Sequence, residues 1–371
     1  MQVTQDQVLA WRLRRQGLAP RSTASVAELV RELAGVQAQV ASSAELALAT
    51  RQRRPRVGAV EEALEAREVV KTWVMRGTLH LVAAEHMAAY LSLMAAARTW
   101  ERPAWQRTFG VTPTEMTALG EAVDDVLAGR VLTRQELTEA LVADGRFAAL
   151  ETQLTSGWGM VLKPLAWTGK LCHGPNQGNR VTFASPRDQV PGWTGTIEPE
   201  EAIRTVIPAY LGAHGPATPE TFDAWLTRNA HRKTVVRGWF ASLGEELTKV
   251  EVDGAACYMR AKDVDALASA GPSEEVRLLA GFDQYVLGPG TSDTRVLRAE
   301  RRKAVSRTSG WITPVVVHRG RVAGVWEIAD GTVDVQLFSE NPEVPKDALE
   351  AEVGHLEVCN GRSYAMSVRM I

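Results

Sequence analysis

One pattern recurs three times along the chain: helix, turn, helix, then two short β-branched runs joined by a tight turn. The second copy is the clearest. Residues 115–127 carry helical periodicity and stop near Gly129. Thr133-Arg134-Gln135-Glu136 is a capping box, in which hydroxyl and carboxylate satisfy N–H groups that a helix start leaves unpaired, and it opens a helix through Leu141. Residues 152–167 read as a third helix, kinked or ended by Pro164. Residues 171–173 and 181–183 then flank a Gly- and Asn-rich turn, as a hairpin requires. The third copy has a helix at 202–211, Pro219 at a first helical position, a helical stretch at 226–243, and strands at 247–252 and 257–259 around Asp253-Gly254. The first is longer, with a helix at 5–18, a capping box at Ser25-x-x-Glu28, a helix at 44–50, and a hairpin of 70–75 and 79–82.

Helices followed by a hairpin are the order of a winged helix, a helix-turn-helix variant. After Gly271-Pro272 the stretches 276–287, 312–317, 322–327 and 333–338 are strand-like. The predicted fold class is therefore α+β: three tandem winged-helix units at 1–110, 111–190 and 191–271, and a C-terminal β-rich module at 272–371. With 45% hydrophobic and 23% charged residues, extended disorder is excluded. No run approaches the ~18 apolar residues of a membrane span, and Met1 to Asp6 lacks the start of a secretory signal. Cys172, Cys257 and Cys359 have no close partner, so a reducing compartment is expected, with the protein cytoplasmic, nucleoid-associated and monomeric.

The net charge of −2 hides a segregation. From Arg12 to Arg56 there are nine arginines against three glutamates, and from Thr294 to Arg321 seven arginines and Lys303 against Glu300 alone. One basic face kept soluble by acids elsewhere suits a polyanion, although such clusters also occur as solvated helix faces. Common catalytic signatures are missing. Gly288-Pro289-Gly290 lacks the third glycine of a dinucleotide fingerprint, there is no phosphate loop or nucleophile elbow, and His80 and His86 do not have metal-helix spacing. No metal or cofactor is expected.

The segment with chemical promise is Gly35-Val36-Gln37-Ala38-Gln39-Val40-Ala41. After a helix stopped at Gly35, an extended backbone would put both amides on one face, because side chains alternate along a strand. On its own the same string also fits a solvent-facing connector.

This segment and three other strings resemble the family of winged-helix DNA glycosylases of the AlkZ-like kind. They are Trp73-Val74-Met75-Arg76-Gly77-Thr78-Leu79-His80, Leu278-Leu279-Ala280-Gly281-Phe282-Asp283-Gln284-Tyr285, and Gly310-Trp311-Ile312 through Gly324-Val325-Trp326. The resemblance runs over essentially the whole chain. It implies that Gln37 and Gln39 are catalytic, that N7-alkylated purines are excised from double-stranded DNA without metal or cofactor, and, since Gln39 is an amide where broader-range relatives carry a carboxylate, that interstrand crosslinks are unhooked, as in azinomycin-type self-resistance. It also implies a β-hairpin near the lesion, here expected at the basic tip His318-Arg319-Gly320-Arg321, with Arg301, Arg302, Lys303 and Arg307 (beside Arg295 and Arg298) as an adjacent phosphate surface. Arg76 and His80 are outside candidates for the site. Neither Lys71 nor Lys163 has a recognisable Schiff-base context, so a monofunctional enzyme is expected.

Two amides suffice only for a special leaving group. Glycoside cleavage ordinarily needs a carboxylic acid and a second carboxylate. An N7-alkylguanine is already cationic and departs neutral, so the general acid's ~10²–10⁴-fold contribution is dispensable. Amide oxygens can hold a water and face a cationic sugar. The rival expectations are a non-enzymatic winged-helix transcriptional regulator and a protein scaffold.

Overall fold

The computed structural model describes residues 1–143, 145–340 and 343–371. Its strands form three three-stranded sheets and one of five strands. In the first sheet, Leu79–Ala83 lies between Val69–Trp73 and a short strand, Val36–Gln37, antiparallel to both. The second repeats that order: Thr182–Ala184 lies between Cys172–His173 and Val131–Thr133. In the third, the hairpin Leu247–Val252/Ala255–Arg260 pairs through Tyr258 with Ala217. Each time, a short segment between two helices pairs with the second hairpin strand: between the second and third helices in the first repeat and between the first two in the others. The parallel strand Gln2–Val3 adds to the free edge of the third sheet.

Local chemistry explains several helix starts. Reciprocal capping boxes open Gln5–Arg15 (Thr4 with Gln7), Val26–Glu32 (Ser25 with Glu28), Pro113–Leu127 (Thr112 with Glu115) and Arg134–Val142 (Thr133 with Glu136). Several expected boundaries shift. The helix expected at 152–167 is two, Glu151–Thr155 and Leu162–Trp167, because Gly157 and Gly159 lie between them. The stretch 226–243 is likewise broken: Pro219–Thr227 ends on Arg228 and Asn229, both left-handed, before Lys233–Ser242 begins. Of the strand expected at 276–287 only Val276–Leu279 is extended. The Asp283 carboxylate accepts from the Tyr285 amide and starts a helical turn, Gln284–Leu287. The left-handed residue ending Val26–Glu32 is Ala34 (φ 58°) as well as Gly35 (φ 99°), and Gly35 N donates to Val30 O at 2.9 Å.

The C-terminal module is less purely β than expected. Its sheet runs Val276–Leu279, Val315–His318, Arg321–Ala329, Thr332–Leu337, Ala365–Met370, and the last pair is parallel. A parallel neighbour requires a crossover, which helix Lys346–Asn360 provides while packing on Val276–Leu279.

Two features tie the parts together. Helix Gln5–Arg15 buries Val8, Ala10 and Trp11 against Val250 and Met259 of the third sheet, and Leu9 and Leu13 against Leu279, Tyr285 and Val315 of the C-terminal module. Arg51 and Asp283, both with fully buried side chains, form a bidentate pair with two contacts of 2.7 Å; Arg51 also donates to Gln16 Oε1 at 3.2 Å. Breaking one side of such a pair strands a buried charge, at a cost of about 3–5 kcal/mol. Among the described residues, no helix is long and apolar enough to cross a membrane.

Candidate active site

The strand Val36–Gln37 is continued by Ala38 N, which donates to Leu79 O at 2.8 Å, and the chain then bends at Gln39 and Val40. Val36 and Ala38 turn into the core, and both Gln37 and Gln39 line one cleft of about 1100 Å³. That volume exceeds the ~300–1,000 Å³ typical of small-ligand pockets. Gln37 is buried and its Oε1 has no hydrogen-bond partner. Gln39 is exposed, and its Oε1 accepts from Leu79 N at 3.5 Å. An unpaired buried amide oxygen is costly unless something else completes it.

All three repeats and the C-terminal module contribute walls. Lys71, Trp73 and Arg76 come from the first hairpin; Arg134, Trp158, Lys163 and His173 from the second repeat; Thr227 and Arg228 from the third; Phe282, Arg302, Ser306 and Trp311 from the C-terminal module. Six cations (Lys71, Arg76, Arg134, Lys163, Arg228 and Arg302) line the cleft, and among the described residues no aspartate or glutamate does. At the rim, Trp158 is 77% exposed and Trp311 46% exposed. Trp311 sits edge-on to Phe282 with ring centroids 5.1 Å apart, in the turn closed by the bridge Ser306–Ile312 and by Arg307 N donating to Trp311 O at 2.9 Å.

The titratable groups are displaced in one direction. Burial, reinforced by Lys71 and Arg134, pushes the His173 imidazole down to about 3, so it is neutral at physiological pH and offers no proton to a leaving group. Burial likewise lowers Lys71, and burial with the nearby Arg228 charge lowers Lys163. Arg76 is held down to about 10 by burial and then by Arg228. His80 is wholly buried behind Gln37 as its cross-strand neighbour, also neutral with a value of about 3, and does not line the cleft.

The expected basic tip is not at this site. His318, Arg319 and Arg321 do not line the cleft. Tyr285 Oη donates to Gly320 O at 2.7 Å, and a Cβ at Gly320 would lie 2.7 Å from Leu9 Cβ, so the turn is packed onto the N-terminal helix. Its charges are already engaged: Arg319 pairs with Glu274 at 2.8 Å, Arg321 with Asp6 at 3.0 Å, and His318 is buried. Arg319 and Arg321 stay partly solvent-exposed beside these acids, away from the cleft that holds the two glutamines. Arg301 is held by Glu340 at 2.6 Å and lies over the Phe338 ring. Arg302 does reach the cleft and donates to Thr291 Oγ1 at 3.3 Å, whereas Lys303 and Arg307 are exposed beside it.

Sequence reasoning thus found the two amides, Arg302 and, as an outsider, Arg76. It missed Arg134, Lys163 and Arg228 as wall residues, and the tryptophans at the rim. No local signal marks Arg228. The loop carrying Trp158 announced itself only through its flanking glycines.

Comparison with known proteins bears on the same cleft. A family model for AlkZ-like DNA glycosylases matches residues 30–357. The chain is 49% identical over 372 residues to an interstrand DNA cross-link repair glycosylase of Streptomyces sahachiroi, covering all of both sequences. The solved structure of the Streptomyces sahachiroi DNA glycosylase AlkZ superposes with a TM-score of 0.96 at 49% identity, again over the whole of both chains.

Proposed function

Because this chain belongs to the AlkZ-like family of DNA glycosylases, we propose that it hydrolyses the N-glycosidic bond of cationic N7-alkylated purines in duplex DNA, with Gln37 and Gln39 as its catalytic residues. The observation that carries this reading is the pairing of two amides with six cations in a cleft whose described walls hold no carboxylate. When the C1′–N9 bond breaks, its electron pair neutralises the cationic base, which leaves without needing a proton. Water adds to C1′ and its proton passes to solvent. Gln37 Oε1, with no donor of its own, is suited to accept from that water. The more exposed Gln39 amide faces the developing positive charge on the sugar, where an oriented dipole stabilises the transition state.

The three repeats fit winged-helix units at 1–110, 111–190 and 191–271 with the module 272–371 beside them; the thrice-repeated sheet order supports this division. The turn Arg307–Trp311 replaces His318–Arg321 as the element nearest the lesion, since it alone of the two reaches the cleft. Crosslink unhooking, the role named for the 49%-identical relative, suits a cleft with solvent-exposed tryptophans at its rim, because a base tethered to the opposite strand cannot swing into a closed pocket.

The test is incubation of purified protein with duplexes containing either N7-methylguanine or uracil, followed by analysis of free bases. N7-methylguanine should be released, leaving an alkali-labile site, and uracil, a neutral leaving group, should stay. Release of uracil at a comparable rate would remove the reason for an amide-only site.

A further inference from the structure

We propose that Arg76, Lys163 and Arg228 form a clamp for a single phosphodiester of the DNA strand that carries the lesion. The clamp rests on the glycosylase reading above and adds to it a built anion site in the wall of the same cleft.

Three side chains from three separate repeats meet here. Helix Pro219–Thr227, which presents Arg228, packs directly on the turn Met75–Gly77, which presents Arg76. The Lys163 stem lies against that turn as well: a Cβ on Gly77 would be 3.8 Å from Lys163 Cδ. Each charge is close enough to act on another, since Arg228 disfavours the protonated forms of both Arg76 and Lys163. Among the described residues none of the three has a carboxylate partner. Arg76 donates to the Leu287 carbonyl at 3.3 Å, and Lys163 Nζ lies 3.5 Å from Met160 Sδ. Elsewhere in the molecule comparably placed arginines, such as Arg12, Arg51 and Arg295, are matched by aspartates.

Two of the three sit on backbone that L-residues seldom adopt, Arg76 at φ 59° and Arg228 at φ 61°. Such conformations persist only where surrounding contacts hold them, and around Arg228 those contacts are many. Asp223 accepts from the His231 ring at 2.7 Å and from Thr227 Oγ1, Thr227 Oγ1 accepts from Ala230 N at 2.9 Å, and Arg102 donates to Ala230 O at 2.7 Å. The molecule therefore maintains three unneutralised cations at one wall, Arg76 and Lys163 partly desolvated and Arg228 exposed beside them, two of them in fixed and unfavourable turns. A monoanionic, multi-acceptor group relieves that repulsion, and guanidinium geometry matches phosphate oxygens. In a cleft that also holds Gln37 and Gln39, the available anion of this kind is a backbone phosphate next to the lesion.

The experiment uses the full-length protein and a duplex with a stable abasic-site analogue, in which the flanking phosphates are replaced one at a time by uncharged methylphosphonate. Arg228 carries the test because its side chain is exposed and R228Q leaves the packed core intact. At one position wild type should lose about tenfold in affinity, as expected for a charge-assisted contact. R228Q should lose a similar amount on the unmodified duplex, lose nothing further on that methylphosphonate duplex, and show a salt slope shallower by about 0.9. K163Q should behave in the same way. If R228Q and every methylphosphonate act independently, or R228Q binds as wild type does, the clamp is overturned. Release of N7-methylguanine by the same wild-type preparation separates the two claims: release without coupling removes the clamp alone, whereas coupling without release removes the glycosylase reading and leaves an anion site.

Discussion

Mild acid should destabilise this protein more steeply than its carboxylates can account for. His80, His173 and His214 are buried and held neutral, each pushed down to about 3, with burial the main cause. In the unfolded chain a histidine titrates near 6.5. Below that value the unfolded chain binds protons that the native state refuses, so stability is present above about pH 6.5 and is lost as pH falls toward 3. Each histidine contributes about 1.4 kcal/mol per pH unit once its unfolded form is protonated. Moving from pH 6.5, where the unfolded histidine is half protonated, to pH 5.0 thus removes roughly 1.7 kcal/mol per histidine and roughly 5 kcal/mol for three acting independently, against a typical total stability of ~5–15 kcal/mol. Carboxylates with depressed values, such as Asp223 and Asp293, lose their contribution only below the ordinary unfolded value of about 4, so the window from 5 to 6.5 belongs to the histidines. Urea unfolding followed by tryptophan fluorescence, for which the chain has 11 reporters, reads the loss at pH 7.5, 6.5, 5.5 and 5.0. His173→Gln should remove about one quarter of the slope, since His355, held down to about 4 by burial, titrates in the same window, while leaving the stability at pH 7.5 less affected. A wild-type slope below one proton between pH 6.5 and 5 would refute burial of three neutral imidazoles.

Other outcomes are equally specific. Gln37→Ala and Gln39→Ala should each slow single-turnover release of N7-methylguanine on the order of 100-fold, the usual cost of losing one preorganised dipole, with unchanged circular dichroism. The rate in the folded enzyme should be flat between pH 5.5 and 8, because the amides do not ionise and His173 stays neutral there; a bell-shaped profile contradicts the mechanism. DNA binding should weaken at a lower alkaline pH than free lysine would dictate, since Lys71 and Lys163 lose their protons early, and fluorescence anisotropy against pH measures it. Asp283→Ala should cost about 3–5 kcal/mol in urea unfolding by leaving Arg51 buried and unpaired. The double change Arg319→Gln with Arg321→Gln should leave affinity for duplex nearly unchanged, because both side chains already face acids.

What could be read from the chain was what local chemistry dictates. Capping boxes at Ser25 and Thr133, the Asp253-Gly254 turn and the alternation of Val36, Ala38 and Val40 with two glutamines all depend on neighbours within a few residues, and each stands in the structure. What failed depended on partners far away. The arginines between 295 and 321 look like a phosphate surface until Asp6, Glu274 and Glu340 arrive from distant segments to neutralise three of them. In the other direction, Arg76, Lys163 and Arg228 are separated by about 65 to 150 residues in sequence, in strings that carry no sign of being cationic neighbours. The strand expected to run on to residue 287 stopped because Asp283 is recruited by both a helix start and Arg51, a double duty that no window of sequence contains.

The wedge formed by the N-terminal helix sets an order of events. Residues Val8 to Leu13 leave the ribosome well before the surfaces they bury against, around Met259 and around Tyr285 and Val315, which are translated some 250 to 300 residues later. Contacts so remote in sequence form late, so the amphipathic leading segment must wait uncovered through most of synthesis. Docking of this helix therefore waits on segments made much later, and until they are made Leu9, Trp11 and Leu13 lack the side chains that bury them.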